Sequence, residues 1–241
     1  MTPRRSEEVH EWGTAPDFVG PRHALRERLL LQTFLAAKPG RAVLDAGAGQ
    51  GTFSQLLHEH GFEVTSTDAS AAAVEVLRRR LAGPVLQADV ADLPFTDETF
   101  DAAVLGEVLE HLADDRAALR EVARVLRPGG VLAVSVPANP ARFGPSDVWA
   151  GHVRRYAREQ LVAACTSSGF AVRRCVGWGF PFSALYHRHL YERRLDRHGP
   201  ARPKRWQRPA LALLGALLQA DRLFVGVERG ALGYLLLATR S

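Results

Sequence analysis

The sequence predicts a doubly wound α/β fold on a mostly parallel sheet, and three observations predict it. From Arg41 to about Val136, short apolar runs alternate with helical patterns, and strands separated by helices of that length pair in parallel through crossovers. The first apolar run leads straight into a glycine-rich turn, "GAGQG" (Gly47–Gly51), followed by a helix. Three successive strand-like runs carry an aspartate at the end, Asp45, Asp68 and Asp89. Ligands of open α/β sheets bind outside those carboxyl ends.

The elements follow in order. "RHALRERLLLQTFLAA" predicts a helix ahead of the sheet. "RAVLDAG" is the first strand, and "TFSQLLHEHG" is a helix stopped by Gly61. "EVTSTD" is the second strand, with "SAAAVEVLRRRLAG" behind it, opened by Ser70 as N-cap and closed by Gly83. "PVLQAD" and "FDAAVLGE" are the third and fourth strands, and "EHLADDRAALREVARVL" reads as one helix. "RPGG" then turns the chain into "VLAVSVP", the fifth strand. "REQLVAACTSSG" is a helix, "FAVRRCVG" a sixth strand and "GYLLLATR" the last. One domain results, with an N-terminal helical segment (1–39), a core (40–177), an insertion (178–231) and the final strand (232–241).

Composition narrows the class. The chain has 241 residues, 46% of them apolar and 24% charged, which is enough for a substantial core and excludes global disorder. No stretch of about 18 uncharged apolar residues occurs. "MTPRRSEEVHEWG" lacks the apolar region of a secretory signal. Cys165 and Cys175 form no disulfide or metal framework, so a reducing, cytoplasmic location is expected. The net charge of +5 is uneven, because residues 188–208 hold eight Arg/Lys and two acids. That segment suits an anionic ligand, a membrane surface, RNA or plain solvation.

The strand ends carry the first chemistry. In "VLDAGAGQGTF", Gly47, Gly49 and Gly51 let the backbone approach a ligand, while a carboxylate at Asp45 repels a pyrophosphate and favours a cationic, amino-acid-bearing cofactor. Asp68, nineteen residues after Gly49, can accept from both hydroxyls of a ribose. Asp89 can accept from an adenine amino group, with Val90 and Leu93 against the ring. Each aspartate alone also fits an ordinary turn or cap, but three at consecutive strand ends after a glycine turn favour the ligand.

"VLDAGAGQGTF", "TSTDAS", "QADVADLPF", "FDAAVLGEVLEHL" and "LRPGGVLAVSVP" resemble, in order and spacing, the motifs of class I S-adenosylmethionine-dependent methyltransferases. The match is strong over Arg41–Pro137 and continues weakly through "GHVRRYAREQLVAACTSSGF". The resemblance implies a seven-stranded Rossmann-like sheet with an antiparallel last strand. It also implies S-adenosyl-L-methionine as cofactor, with its methionine on Gly47–Gly51 near Asp45 and its ribose on Asp68 and Ala69. Adenine would lie by Asp89 and Val90, and Gly106 would border the site.

Beyond the cofactor, "GEVLEHL" (Gly106–Leu112) spaces Glu107, Glu110 and His111 at i, i+3 and i+4, one face of a helix. His152 in "GHVRRY" follows the fifth strand. These four residues are similar to the acidic/His cluster of metal-dependent 2′-O-methyltransferases of small RNAs and of the ubiquinone-pathway O-methyltransferases. Glu107, Glu110, His111 and His152 are therefore candidate ligands of Mg²⁺ or another divalent ion, which would lower the pKa of a bound hydroxyl. Without a metal, His111 or His152 is the candidate general base, and a helix-packing or solvated role is the bland alternative. The remaining histidines are assigned to the surface.

The insertion and the N-terminal segment with Trp12 and Phe18 are expected to cover a small-molecule acceptor, with aromatics of "GWGFPFSALYHRHLY" around it or in the core. The basic run followed by "PALALLGALL" reads either as a peripheral membrane element over 188–225 or as a lid helix. Nucleic acid is the weaker acceptor, since no stacking motif or RNA-binding module accompanies the basic run.

Overall fold

A computed structural model describes residues 21–193 and 208–241. Trp12, Phe18 and most of the basic run lie outside the described residues. The chain begins with α1 (Pro21–Ala36), then β1 (Ala42–Ala46), α2 (Thr52–Glu59), β2 (Glu63–Asp68), α3 (Ala71–Arg80) and β3 (Val85–Gln87). It continues through β4 (Phe100–Gly106), α4 (Asp115–Val125), β5 (Leu126–Pro137), α5 (Pro145–Ala150), α6 (Arg158–Ser167), β6 (Phe170–Trp178), α7 (Phe182–Tyr186), α8 (Arg208–Leu218) and β7 (Gly233–Arg240). The seven strands form one sheet in the order β3-β2-β1-β4-β5-β7-β6. β7 runs antiparallel to both β5 and β6, and the pairs among β1–β5 are parallel. This is the doubly wound seven-stranded sheet with a reversed last strand that the sequence implied.

Strand alternation splits the core in two. Leu44, Ala103, Leu105, Leu132 and Val134 face one side, packed with Leu119 and Val122 of α4 and Leu161 of α6. Val43, Ala102, Val104, Val131 and Ala133 face the other, packed with Leu25, Leu29, Leu30 and Phe34 of α1 and Leu57 of α2. Successive side chains of a strand point to opposite faces, so a sheet covered on both sides needs apolar residues at every position. Removing one such side chain, as in Leu44→Ala, costs about 2–5 kcal/mol.

Local signals set the ends. Ser70 accepts from the Ala73 amide at 3.3 Å to cap α3, and Asp114 accepts from the Ala117 amide at 2.9 Å to cap α4. That second cap corrects the single helix read from Glu110. α4 starts five residues later, and between β4 and α4 the chain makes only a 3₁₀ turn at Leu109–His111. "RPGG" lies inside β5, where the residues between Leu126 and Val131 loop out of register with β4.

Strand order reverses between β1 and β4, because β2 lies to one side of β1 and β4 to the other. The carboxyl ends of β1 and β4 therefore open a crevice at the topological switch point. Both the glycine turn and "GEVLEHL" emerge there.

Candidate active site

The cofactor side is built from backbone. Gly47, Gly49 and Gly51 all adopt left-handed conformations, with φ of 73°, 55° and 74°. Two of them show why glycine is required. A Cβ on Gly47 would lie 2.6 Å from Val108 Cγ2, whereas a Cβ on Gly49 would meet nothing within 4 Å, so the turn is open at its crest. Gly47 and Ala48 donate to the Thr67 carbonyl at 2.8 and 2.9 Å, tying the turn to β2. Asp68 closes that strand and accepts from the Gly49 amide through Oδ2 and from the Ser70 amide through Oδ1, both at 2.9 Å. Each carboxylate oxygen retains acceptor capacity for a hydroxyl. Ala69 is exposed beside it, its carbonyl accepting from Gln87 Nε2 at 3.0 Å.

Asp45 lies beneath the turn, 3% exposed, with Oδ2 accepting from Ser54 Oγ at 2.5 Å. Burial pushes its carboxyl up to about 7, against the opposing pull of the Ser54 bond. Asp89 is exposed and accepts from the Ala91 amide at 2.9 Å, while Val90 beside it is buried in the core. Gly106 ends β4, with Leu30 Cδ2 3.9 Å from where its Cβ would stand.

The first helix supplies residues that the sequence reading missed. Glu27 is buried and accepts from Thr52 Oγ1 at the start of α2 and from His23 Nε2 at 2.9 Å. Burial would raise its pKa, but the His23 and Thr52 contacts bring it below the usual carboxylate range. Arg26 approaches Glu107, Nη1 to Oε2, at 3.4 Å. His23/Glu27 and Arg22/Arg26 are i, i+4 pairs in an otherwise leucine-rich helix, a polar stripe that could have marked this wall.

Opposite lies the acidic/His cluster, with one correction. Glu107 has φ 62° and sits at the strand end before the 3₁₀ turn, so Glu107, Glu110 and His111 do not share a helix face. Three residues still converge: one potential ligand atom each from Glu110, His111 and His152 lies within 4.8 Å of the others. Glu107 stands outside that group and pairs with Arg26 instead. Burial would raise the Glu107 pKa, but Arg26 and His152 hold it below the usual range. Glu110 is fully buried, and among the described residues neither carboxyl oxygen has a hydrogen-bond partner. Burial, then the neighbouring Glu107 charge, push its pKa well above the ordinary value.

The two imidazoles stack edge to face, with centroids 4.8 Å apart. His152 Nδ1 lies 2.8 Å from Asp147 Oδ1, and its Nε2 lies 3.8 Å from Glu110 Oε1. His111 Nδ1 faces the Gly151 carbonyl at 3.3 Å. Burial and the adjacent His152 lower the His111 pKa to about 4, so its ring is neutral at pH 7. Asp147, absent from the sequence reading, is fully buried and accepts from Arg155 Nε at 2.8 Å and from the Gly144 amide at 2.9 Å. Burial would raise its pKa, but the His152 and Arg155 contacts bring it below the usual range. The loop is pinned to the cluster by the Val153 amide, which donates to the Glu110 carbonyl at 2.8 Å. Asp147 holds His152 in place, as a carboxylate orients a catalytic imidazole.

The histidines assigned to the surface do not all lie there. His187 is 7% exposed, behind α5, with Nε2 3.4 Å from Ser146 Oγ. Of the aromatics in the insertion, Trp178 belongs to the core at the end of β6. α8 packs beside α1, with Gly215 against Pro21. Its outer residues Leu213 and Leu217 are 75% and 50% exposed, and Leu223 beyond it is 85% exposed. No helix among the described residues is long and apolar enough to cross a membrane.

An open α/β sheet with a glycine turn, a ribose-ready aspartate and an acidic/His wall at the switch point defines the class of adenosyl-cofactor folds. Residues 44–134 match the family model described as a methyltransferase domain. The matched segment holds the motifs that resemble those of class I S-adenosylmethionine-dependent methyltransferases. The chain is 39% identical over 110 residues to a demethylmenaquinone methyltransferase of Clavibacter sepedonicus, covering 44% of this chain and 45% of that protein. It is 36% identical over 115 residues to a malonyl-[acyl-carrier protein] O-methyltransferase of Serratia marcescens, covering 47% and 45%. The chain thus spans about half the length of these curated relatives. The crystal structure of an S-adenosylmethionine-dependent methyltransferase from Mesorhizobium loti shares the fold, with a TM-score of 0.61 at 22% identity over 92% of this chain and 100% of that one.

Proposed function

We propose that this chain is an S-adenosylmethionine-dependent methyltransferase that methylates a small-molecule acceptor at a hydroxyl oxygen, with His152 as general base. The observation that carries the reading is one crevice with an open glycine turn on one wall and the Asp147–His152 pair on the other. The sulfonium is already activated, so the protein must align the acceptor and take its proton. Asp147 fixes the His152 ring through Nδ1, leaving Nε2 to face the cluster. His111 is held neutral by burial and by the adjacent His152. The relatives named above support methyl transfer as the reaction.

Divalent-metal assistance is the alternative to base catalysis within this proposal, because His152 Nε2 cannot hold an ion and accept a proton at once. Glu110, His111 and His152 have the right donor types, and the buried, unpartnered Glu110 carboxyl is what an ion would satisfy. The Nδ1 contacts to Asp147 and the Gly151 carbonyl are those that orient metal-bound imidazoles. An ion about 2.1 Å from each ligand needs them within about 4.2 Å of one another, so the cluster would tighten on loading. Such an ion would acidify a bound hydroxyl. Incubating the chain with labelled cofactor and a panel of phenols, with and without chelator, tests both parts. Transfer to a phenol supports the reading, transfer only to amines or carbons overturns the oxygen assignment, and full activity in chelator removes the metal.

Peripheral membrane contact through 188–225 is a further part of the proposal, supported by the exposed Leu213, Leu217 and Leu223 next to a basic stretch of sequence. Flotation with vesicles containing phosphatidylglycerol tests it. Replacing the three leucines with serine should abolish co-flotation, and an unchanged result would count against membrane contact.

A further inference from the structure

A second cavity lies between the turn after β5 and the helices that follow β6. It encloses about 650 Å³, and its lining includes Arg142, Phe143, His187, Arg188, Glu192 and Arg193. That volume suits a small organic ligand. Among the described residues, none of its three guanidiniums has a carboxylate partner. Arg142 donates only to carbonyls, from Nη1 to Gly230 at 3.1 Å and Ala231 at 3.4 Å. The charged groups that act on it are two further cations, Arg155 and Arg188.

The carboxylate in the lining is already engaged. Glu192 accepts from the Ser146 hydroxyl through Oε1 and from the Ser146 amide through Oε2 at 3.3 Å. His187 adds no charge, since burial and then Arg22, Arg155 and Arg142 lower its pKa to about 2. Arg155 is neutralised by Asp147. The cavity therefore gathers three guanidiniums against one occupied carboxylate, beside apolar surface from Phe143 and Leu232. Like charges crowded into a cavity repel one another, and a bound anion offsets that repulsion.

We propose that this cavity binds an oxyanion, a carboxylate or phosphate, on the molecule that accepts the methyl group. The inference rests on the methyltransferase reading above. Guanidinium forks bind both oxyanions bidentately. α5 links this cavity to the chemistry, since its Ser146 holds Glu192 on the cavity side and its Asp147 holds His152 on the other. α5 thus joins the cavity wall to the residue that positions the base.

Calorimetry on the full chain tests this, with benzoate, phenyl phosphate and benzyl alcohol titrated at constant ionic strength with and without S-adenosylhomocysteine. At least one anion should bind and the neutral alcohol should not. Arg188→Gln and Arg142→Gln should each weaken anion binding about tenfold. Arg188 is exposed and has no hydrogen-bond or ion-pair partner among the described residues, so its variant should keep the native affinity for S-adenosylhomocysteine. Preference for benzoate assigns a carboxylate and preference for phenyl phosphate assigns a phosphate. The inference is overturned if neither anion outbinds benzyl alcohol on a chain that binds S-adenosylhomocysteine, or if both substitutions leave anion binding unchanged. A folded chain that binds no S-adenosylhomocysteine overturns the methyltransferase reading, and this inference with it.

Discussion

The two walls of the crevice are built in different ways. The cofactor wall is local: Gly47 to Ser70 supply a turn, a strand end and a cap, joined by backbone amides to Asp68 and the Thr67 carbonyl. The acceptor wall is assembled from afar. Glu110 and His111 meet His152 some forty residues on, and Asp147, Arg155 and Arg26 complete the set. The Asp68 carboxylate on the cofactor wall is partnered by two amides, whereas among the described residues the buried Glu110 carboxyl on the acceptor wall accepts no hydrogen bond. A binding surface for a fixed cofactor can be satisfied in advance, while a reacting surface keeps capacity for what arrives.

Substitutions can break that contrast, and the largest effect on cofactor binding is expected at Asp68. Asp68→Ala leaves the Gly49 and Ser70 amides without their acceptor and removes the carboxylate proposed to take the ribose hydroxyls. Cofactor affinity should fall by about a hundredfold, at roughly 1.5 kcal/mol for each hydrogen bond to a charged group. Equilibrium binding checks it, and native affinity in a folded variant would detach Asp68 from the cofactor.

On the acceptor wall, Asp147→Ala strands the buried Arg155 and releases His152. Urea unfolding should show a loss of about 3–5 kcal/mol, the cost of breaking a buried ion pair from one side. Loss of methyl transfer should accompany it.

Asp45 brings a pH dependence to the cofactor wall. Its carboxyl is raised by burial from 3.8 to about 7 in the fold, so between those values the folded chain holds a proton that the unfolded chain has lost. Stability from this group therefore falls as pH rises through that window and levels off above it. Asp45→Asn should match the native chain near the lower limit and exceed it by up to about 4 kcal/mol above the upper one. Thermal unfolding across the range checks the sign, and a gap that widens on acidification would contradict it.

The smallest effect is expected at Glu110. Burial and Glu107 favour its neutral form, so Glu110→Gln should change stability by less than about 1 kcal/mol. If an ion is held there, the same variant loses the metal-dependent part of activity, which chelator titration would show.

Legibility in the sequence follows the same division. The succession of strands and helices and the glycine turn with Asp68 were readable because each depends on residues close in the chain, whereas the reversed β7, which pairs Thr239 with the distant Val131, came from the family resemblance. Glu27, Arg26 and Asp147 were not, because their partners, Thr52, Glu107 and His152 with Arg155, are fixed by packing between separate elements. The i, i+4 spacing in "GEVLEHL" pointed to convergence for the wrong reason. No helix runs through it, and left-handed Glu107 turns the chain so that Glu110 and His111 face His152.

The central claim is a crevice made for S-adenosylmethionine, and calorimetry with S-adenosylmethionine and S-adenosylhomocysteine tests it most directly. One equivalent of either should bind to the native chain, and neither should bind appreciably to Asp68→Ala. A folded native chain that binds neither molecule would contradict it.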